Sequence, residues 1–255
     1  MTEEHRDAVG ADGVRSVRGV RLGTAEPADY SAADTTPVED ASIEELAAML
    51  EDSAAPTRRR AVLALARRNP EPAVIRTLAE LARSDPDDQV RQFAVEATGK
   101  LDGDPQVALD LLEADADPWV RAEAAVALDR LARDAHETTF ETLLEDEAVG
   151  VRRNALISLV RIRGDGARDL LLEALDDPSD RVREWAVKLL GGFDDDETVR
   201  TALKRVLDDE TEIEVVRETA ARSLGARGQD VEDLLEDGTG TASADDHMLN
   251  HVPDR

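Results

Sequence analysis

A Val-Arg-x-x-Ala pattern recurs through this chain at nearly constant spacing, and it constrains the fold more than any other feature. The arginines of the pattern are Arg91, Arg121, Arg152, Arg183 and Arg217, with Arg58 in a weaker first copy. Successive arginines are 33, 30, 31, 31 and 34 residues apart. A repeat of this length is one helical hairpin, which must stack on its neighbours to bury its apolar face. The sequence therefore predicts an all-α solenoid of about six hairpins.

The repeats divide the chain into three parts. Residues 1–41 contain scattered glycines and prolines without a sustained apolar period, which predicts a flexible arm. The helical period begins after Ser42, whose capping-box partner is Glu45. We predict a solenoid over residues 42–236, with a short last helix near 229–236, and a flexible tail over residues 237–255.

Within the solenoid two kinds of helix alternate, here called first helices and second helices. The second helices carry the Val-Arg-x-x-Ala pattern. The first helices are predicted near residues 43–51, 71–83, 105–114, 135–145, 166–176 and 197–208. The second helices are predicted near residues 57–68, 88–101, 118–132, 149–162, 180–191 and 213–225.

The composition is strongly acidic. The net charge is −27, and only three of the 31 basic residues are lysines. Many carboxylates with few lysines favour a halophilic, archaeal source, because concentrated salt screens self-repulsion. The alternative is a mesophilic acidic protein that its charge keeps soluble.

Other features of the sequence exclude several classes of protein. The chain has no cysteine, so it forms neither disulfides nor thiolate metal sites. No apolar run has the length of a membrane span, and the N-terminus lacks the apolar core of a signal peptide. We therefore expect a cytoplasmic protein, without a membrane partner, and a monomer.

Two regularities of the second helices predict how the repeats pack. The position three residues after the repeat arginine is alanine in all six copies, within an apolar stripe that marks the buried face. An aspartate lies six residues before the arginine in five copies, at Asp52, Asp85, Asp115, Asp146 and Asp177. We predict that each arginine binds an aspartate of its own or an adjacent turn in bidentate fashion, with a structural role. The sixth copy has Thr211 instead.

These residues resemble the HEAT repeat, and most closely the short HEAT-like repeats of phycobilisome lyases. The pattern Asp-Pro-x-x-x-Val-Arg-x-x-Ala is nearly complete over residues 85–98 and 177–190. The resemblance implies a right-handed superhelix with the first helices on the convex side and the second helices lining a concave groove. It implies an interaction scaffold for most members, although a few are enzymes or attach bilin chromophores. No lyase signature accompanies the repeats here.

The sequence offers no catalytic constellation. A HEAT-repeat hydroxylase holds two irons with several His-Glu pairs, whereas this chain has one such pair, His136-Glu137. We interpret His136 as a solvated residue at a helix start. The acidic runs 194–196 and 208–210 lack an EF-hand pattern. We therefore expect no enzyme, no cofactor and no metal site.

The face of the second helices opposite the buried stripe is the candidate binding surface. It comprises the positions one, two, five, nine and twelve residues after the repeat arginine, with ten basic and five acidic residues. Arg59, Arg60 and Arg67 are among the basic ones. The predicted apolar anchors are Phe93, Val126, Ile157 and Trp185, and the predicted charge contacts are Lys100, Arg130, Arg153, Arg161 and Lys188.

We therefore expect a non-enzymatic protein–protein interaction scaffold whose groove binds an acidic, partly apolar segment of another protein. The alternative is a nucleic-acid-binding helical-repeat protein, although the net charge disfavours polyanions. A third interpretation is that these arginines only pair with acids on the same face, as Arg130 could with Asp129 or Glu123.

Overall fold

The computed structural model describes residues 38, 40–193 and 196–225. This part of the chain forms helices and no strand. In chain order the helices are α1 (Ile43–Met49), α2 (Ala55–Leu65), α3 (Pro72–Ser84), α4 (Asp88–Lys100), α5 (Pro105–Ala114), α6 (Pro118–Ala132), α7 (Glu137–Leu143), α8 (Val149–Arg163), α9 (Arg168–Glu173), α10 (Asp180–Leu190), α11 (Glu197–Asp208) and α12 (Glu214–Gly225). The odd-numbered helices are the first helices, and the even-numbered ones carry the repeat arginines. The predicted solenoid of six hairpins is confirmed.

Side chains at the helix starts explain why the hairpins begin where they do. Ser42 and Glu45 form the predicted capping box at α1. Aspartates cap several later helices, as Asp117 does by accepting from the backbone N–H groups of Trp119 and Val120.

One first helix is shorter than predicted. The segment 166–176 forms α9 only between Arg168 and Glu173, flanked by 3₁₀ turns at Gly164–Ala167 and Ala174–Asp176. Gly164 has a φ of +51° there, a left-handed conformation that ends the regular helix of α8. The predicted helix near 229–236 and the predicted tail over 237–255 lie outside the described residues, as does most of the predicted arm over 1–41.

The alanine three residues after each repeat arginine lies in the core of the stack. All six alanines, which are Ala61, Ala94, Ala124, Ala155, Ala186 and Ala220, are 0% exposed. Their methyl groups leave room for the neighbouring helices, so the predicted buried stripe is confirmed.

The second helices also pack closely against one another, which the single predicted stripe did not include. A Cβ atom added at Gly99 of α4 would lie 3.0 Å from the Cβ of Ala127 in α6. The Asn154 amide of α8 donates to the carbonyl of Ala122 over 2.8 Å, and Ser223 of α12 donates to the carbonyl of Val187 over 3.0 Å. Each interior second helix is therefore buried by its own first helix and by both neighbouring second helices, and one face remains open.

The repeat arginines join successive turns through bidentate ion pairs. Arg58 binds Asp85 of the following turn, with Nε and Nη2 each donating over 2.7 Å. The same pairing joins Arg91 to Asp115, Arg121 to Asp146 and Arg152 to Asp177. The predicted ladder is thus confirmed for Arg91, Arg121 and Arg152, and the acceptor lies in the next turn.

Each of these arginines and aspartates also binds the backbone of its own turn. The Nη1 group of Arg121 donates to the carbonyl of Asp115, six residues earlier, over 3.1 Å. The Asp115 carboxylate accepts from the N–H of Asp117 over 2.9 Å. The aspartate therefore both shapes a turn and receives the arginine of the preceding repeat.

The prediction that Arg183 pairs with a repeat aspartate is wrong, because its carboxylate partner is Glu212. Its Nε and Nη2 donate to Glu212 over 2.7 Å and 2.6 Å. The last turn divides the two roles of the aspartate, since Asp209 accepts from the N–H of Thr211 over 2.8 Å while Glu212 binds the arginine. This turn lies within the longest interval between repeat arginines, the 34 residues from Arg183 to Arg217, and Glu212 has a longer side chain than the aspartates of the other turns.

No helix among the described residues is long and apolar enough to cross a membrane.

Candidate partner-binding groove

The groove is defined here as the open face of the even-numbered helices. At about 100° per residue, the positions two, five and nine residues after a repeat arginine point away from the buried alanine. None of the nine predicted contact residues is buried. Lys100 and Arg130 are exposed, and the half-buried ones are Phe93, Val126, Arg153, Ile157, Arg161, Trp185 and Lys188. All nine side chains are thus at least partly exposed, on four successive second helices. Arg153, one residue after its repeat arginine, lies outside the groove defined here and donates to the side-chain oxygen of Asn154.

A column of four cations runs along the groove, one per repeat. It lies nine residues after the repeat arginine and comprises Arg67, Lys100, Arg130 and Arg161. Lys100 pairs with Glu96 of its own helix, and Arg161 donates to Asp129 of α6 over 2.8 Å. Arg67 and Arg130 are exposed and form no ion pair with any described residue. Free and bound cations thus alternate along this column.

Buried acidic side chains lie at the centre of the groove, and the charge count from the sequence omitted one of them, Asp129. Glu96, Glu123 and Asp129 are buried, at 8%, 7% and 7% exposed. Asp129 lies between two arginines, since Arg133 and Arg161 each donate to it over 2.8 Å. The positive charge of the groove is therefore largely compensated within the chain, and the excess that remains is concentrated at a few side chains such as Arg130.

Arg59 was counted among the basic groove residues, and the structure places it elsewhere. It is 4% exposed, in the seam between α2 and α4, where its Nη1 donates to the side-chain oxygen of Gln89. Its position, one residue after the repeat arginine, faces the next second helix. Arg59 therefore joins two helices and is not available to a partner.

The apolar part of the groove is a broken stripe between the charged positions. Phe93 and Trp185 lie two residues after their repeat arginines, and Val126 and Ile157 lie five residues after theirs. The ammonium group of Lys188 lies 4.8 Å from the centre of the Trp185 ring, which is a cation–π contact.

Two further residues belong to this face and were missed. Trp119 and Val215 lie two residues before a repeat arginine, about 160° around the helix from it and close to the direction of Val126. Trp119 is half-buried, and Val215 is 42% exposed. Helical periodicity predicts both positions when the row of apolar groove residues is extended into the first turn of each helix.

Two glutamates in the last repeats have shifted pKa values. Burial raises the pKa of Glu184 on α10 above the ordinary glutamate value, although Arg222 of α12 acts against this. In contrast, the hydrogen bonds from Arg183 lower the pKa of Glu212. The pKa values of these two glutamates are therefore shifted in opposite directions.

The described residues contain no group of three or more His, Asp or Glu side chains that could hold a metal ion. His136 lies at the N-cap of α7 and is half-buried. Asp196, the described member of the acidic run 194–196, caps α11 by accepting from the N–H groups of Thr198 and Val199.

Stacked hairpins with one open face of second helices define the class of α-solenoid repeat proteins. Within that class, family models for HEAT repeats match residues 43–114, 105–190 and 168–246, and the chain belongs to this family. No curated protein matches the sequence.

Several solved structures are similar to this chain. A chain of the CpcE–CpcF complex of phycocyanin lyase from Nostoc sp. PCC7120 is 19% identical, with a TM-score of 0.43 over 72% of this chain and 81% of that one. An engineered protein is 18% identical, with a TM-score of 0.40 over 77% and 97% of the two chains. Human deoxyhypusine hydroxylase is 21% identical, with a TM-score of 0.33 over 82% of each chain.

Proposed function

We propose that this protein is a non-enzymatic interaction scaffold whose concave groove binds an acidic, partly apolar segment of a partner protein. The observation that carries the proposal is the pairing of free cations with half-buried apolar side chains on one open face. Arg130 and Val126 show it most clearly, because they lie one helical turn apart on α6.

The apolar residues supply affinity in this proposal, and the free cations supply selectivity. Burial of apolar surface contributes ~25 cal/mol per Å², and salt does not screen it. An exposed ion pair contributes less than ~1 kcal/mol and weakens further in salt. A partner segment therefore needs aromatic or aliphatic residues for Trp185 and Val126, and carboxylates for Arg130.

Peptide display tests the proposal without knowledge of the partner. Random 15-residue peptides are selected on the full chain, and the dissociation constants of the selected peptides are then measured by fluorescence anisotropy. We expect acidic sequences with apolar residues. Trp185→Ala should weaken their binding at least tenfold, and Arg130→Ala should weaken it less in molar salt than in dilute salt.

Arg76→Ala is the matched control for Arg130→Ala. Arg76 is an exposed arginine of α3, on the side of the first helices. It should leave peptide binding unchanged at every salt concentration. Selection of basic peptides, or equal effects of Arg76→Ala and Arg130→Ala, would contradict the proposal. Binding of single-stranded DNA that depends on Arg130 and is lost steeply with salt would favour the nucleic-acid alternative.

A further inference from the structure

We propose that a cleft between α9 and α11 binds a small organic cation with an apolar body, such as an arylalkyl amine or guanidine. The cleft lies on the side of the first helices, opposite the groove. This inference therefore goes beyond the proposed function and does not depend on it.

The cleft has the size of a small-molecule site. Its volume is about 630 Å³, within the range of roughly 300–1,000 Å³ that such sites occupy. One wall is formed by α9, which has only six residues, and by the 3₁₀ turn Ala174–Asp176 that follows it. This wall is the shortest of the first helices, and it leaves space beside α11.

A small side chain on α11 contributes to the opening. Asp104 caps α5 and Asp196 caps α11, so the two helices can be aligned from their caps. Six residues after the cap, α5 has Asp110 and α11 has Ala202. Asp110 accepts from Nε of Arg83 over 2.8 Å, which joins α3 to α5. Ala202 offers no such acceptor, so this bond between first helices has no equivalent at the cleft.

The cleft combines an apolar floor with an acidic rim. Leu175 is buried and Leu172 is half-buried, and both line the cleft. Three exposed carboxylates line it as well, from Glu173, Asp176 and Glu197. A ligand that buries apolar surface against the leucines therefore meets negative charge at the mouth. This arrangement is complementary to a cation on an apolar body.

Arg205 also lines the cleft, and its ion pair is loose. It lies 3.7 Å from Asp176, and both side chains are mostly exposed. An exposed pair of this kind contributes little to stability. The ammonium or guanidinium group of a ligand therefore replaces Arg205 beside Asp176 at small cost.

Disulfide tethering tests the cleft with probes of defined charge, because the chain has no native cysteine. The full chain with Thr201→Cys is equilibrated with 2-mercaptoethanol and the disulfide of a benzyl thiol. Three such thiols are compared, which carry an aminomethyl, a methyl or a carboxylate group at the para position. Mass spectrometry measures the labelled fraction. Thr201 lines the cleft and is exposed, so its replacement should leave the fold intact.

Thr142→Cys is the matched control. Thr142 is an exposed threonine of α7, which is also a first helix, and it is not among the residues that line the cleft. It lies three residues before the exposed Glu145. It therefore reports the general attraction of cations to this acidic protein.

We expect the Thr201→Cys chain to retain the aminomethyl probe at tenfold higher 2-mercaptoethanol concentration than the Thr142→Cys chain does. The methyl probe should be retained less well, and the carboxylate probe least. The preference for the aminomethyl probe over the methyl probe should disappear when three further substitutions neutralise the rim, namely Glu173→Gln, Asp176→Asn and Glu197→Gln. Equal retention by the two chains, or no preference for the aminomethyl probe over the carboxylate probe, would overturn the proposal.

Two further variants separate the cleft from the net charge. In the Thr201→Cys chain, Arg205→Ala should raise retention of the aminomethyl probe at least threefold, because the competing cation is lost. Arg76→Ala removes the same charge outside the cleft and should have no effect. Ala202→Leu fills the cleft and should lower retention of the aminomethyl and methyl probes to the level of the Thr142→Cys chain, with the helical circular dichroism unchanged. Equal effects of the two arginine variants, or unchanged retention with Ala202→Leu, would overturn the proposal.

Discussion

Two columns of basic side chains run along this solenoid with the same repeat spacing, and they have different environments. The turn column contains Arg58, Arg91, Arg121, Arg152 and Arg183, each bound to two carboxylate oxygens of the next turn. The groove column contains Arg67, Lys100, Arg130 and Arg161, of which two have a carboxylate partner. The difference shows that regular spacing alone does not assign a role to an arginine.

The two columns differ in the carboxylate that each cation meets. A turn arginine meets a carboxylate that the backbone of that turn already orients, as Asp115 is by the N–H of Asp117. A groove cation binds a carboxylate only where one lies within reach on its own helix or on a neighbouring one, as Glu96 does for Lys100 and Asp129 does for Arg161. The pairing of the groove column therefore differs from repeat to repeat, and in the proposed function the partner binds its unpaired members.

The largest effect is expected in the turn column. Arg58→Ala should lower the free energy of unfolding by about 3 kcal/mol, because it leaves the buried Asp85 carboxylate without its cation. The side chains of Arg58 and Asp85 are 10% and 2% exposed. Urea denaturation followed by circular dichroism measures the change.

Arg205→Ala is the control for that substitution. Arg205 and Asp176 are 3.7 Å apart, and their side chains are 66% and 80% exposed. Its loss should leave the free energy of unfolding within error, because exposed pairs contribute little. A similar change for both arginines would mean that the turn pairs are not a structural device.

A smaller effect should separate the two kinds of cation within the groove. Arg161→Ala is expected to cost roughly 1–2 kcal/mol of folding free energy, because Asp129 keeps Arg133 as its remaining partner. Arg130→Ala should not change the free energy of unfolding and should weaken only the binding of partner peptides. Parallel denaturation and anisotropy measurements check both. If Arg130→Ala destabilised the fold as much as Arg161→Ala does, the free and bound cations would not differ.

The smallest effect concerns pH. The lowered pKa of Glu212 stabilises the fold at neutral pH, and this contribution is lost as the pH falls through its native pKa. The raised pKa of Glu184 means that its charged form destabilises the fold, and this cost disappears as the pH falls through that raised value.

Glu212→Gln should therefore lower stability at neutral pH, and Glu184→Gln should raise it, each by less than ~1 kcal/mol. As the pH falls, the difference from wild type should vanish for Glu184→Gln first and for Glu212→Gln at lower pH. Melting temperatures between about pH 7 and pH 3.5 measure both series. The reverse order of the two transitions would contradict the opposite pKa shifts of Glu212 in the turn and Glu184 on α10.

The sequence predicts the features that every repeat shares. The alanine after each repeat arginine and the aspartate before it recur in register, so their burial and pairing follow from the period. The acceptor of Arg183 was missed because Thr211 stands where the other repeats have an aspartate. Glu147, which lies at the position equivalent to Glu212, is 3.4 Å from Arg121. The contact of Arg161 with Asp129 joins positions that are not aligned, so it becomes visible only when the helices are packed.

The sequence predicted which residues of the second helices are exposed, but it did not predict the charge of the groove. All nine predicted residues lie at the surface of the second helices, as helical periodicity required. The charge count failed because it included Arg59 and omitted Asp129, and both depend on which neighbouring helix a side chain faces. Periodicity gives the direction of a side chain on its own helix, but it does not give the distance to the next one.

The pairing of an arginine with the aspartate of the following turn makes the first four junctions between hairpins equivalent. If residues 117–147 were excised, Ala116 would be followed by Ala148, and Arg152 would lie six residues after Asp115. Arg91 would keep Asp115 as its acceptor, and Arg152 would keep Asp177. The chain can therefore lose or gain a whole hairpin during gene duplication without leaving a turn arginine or a turn aspartate unpaired, although Arg161 would lose Asp129 in this example. The length of the groove is then a property that selection can change in steps of one repeat.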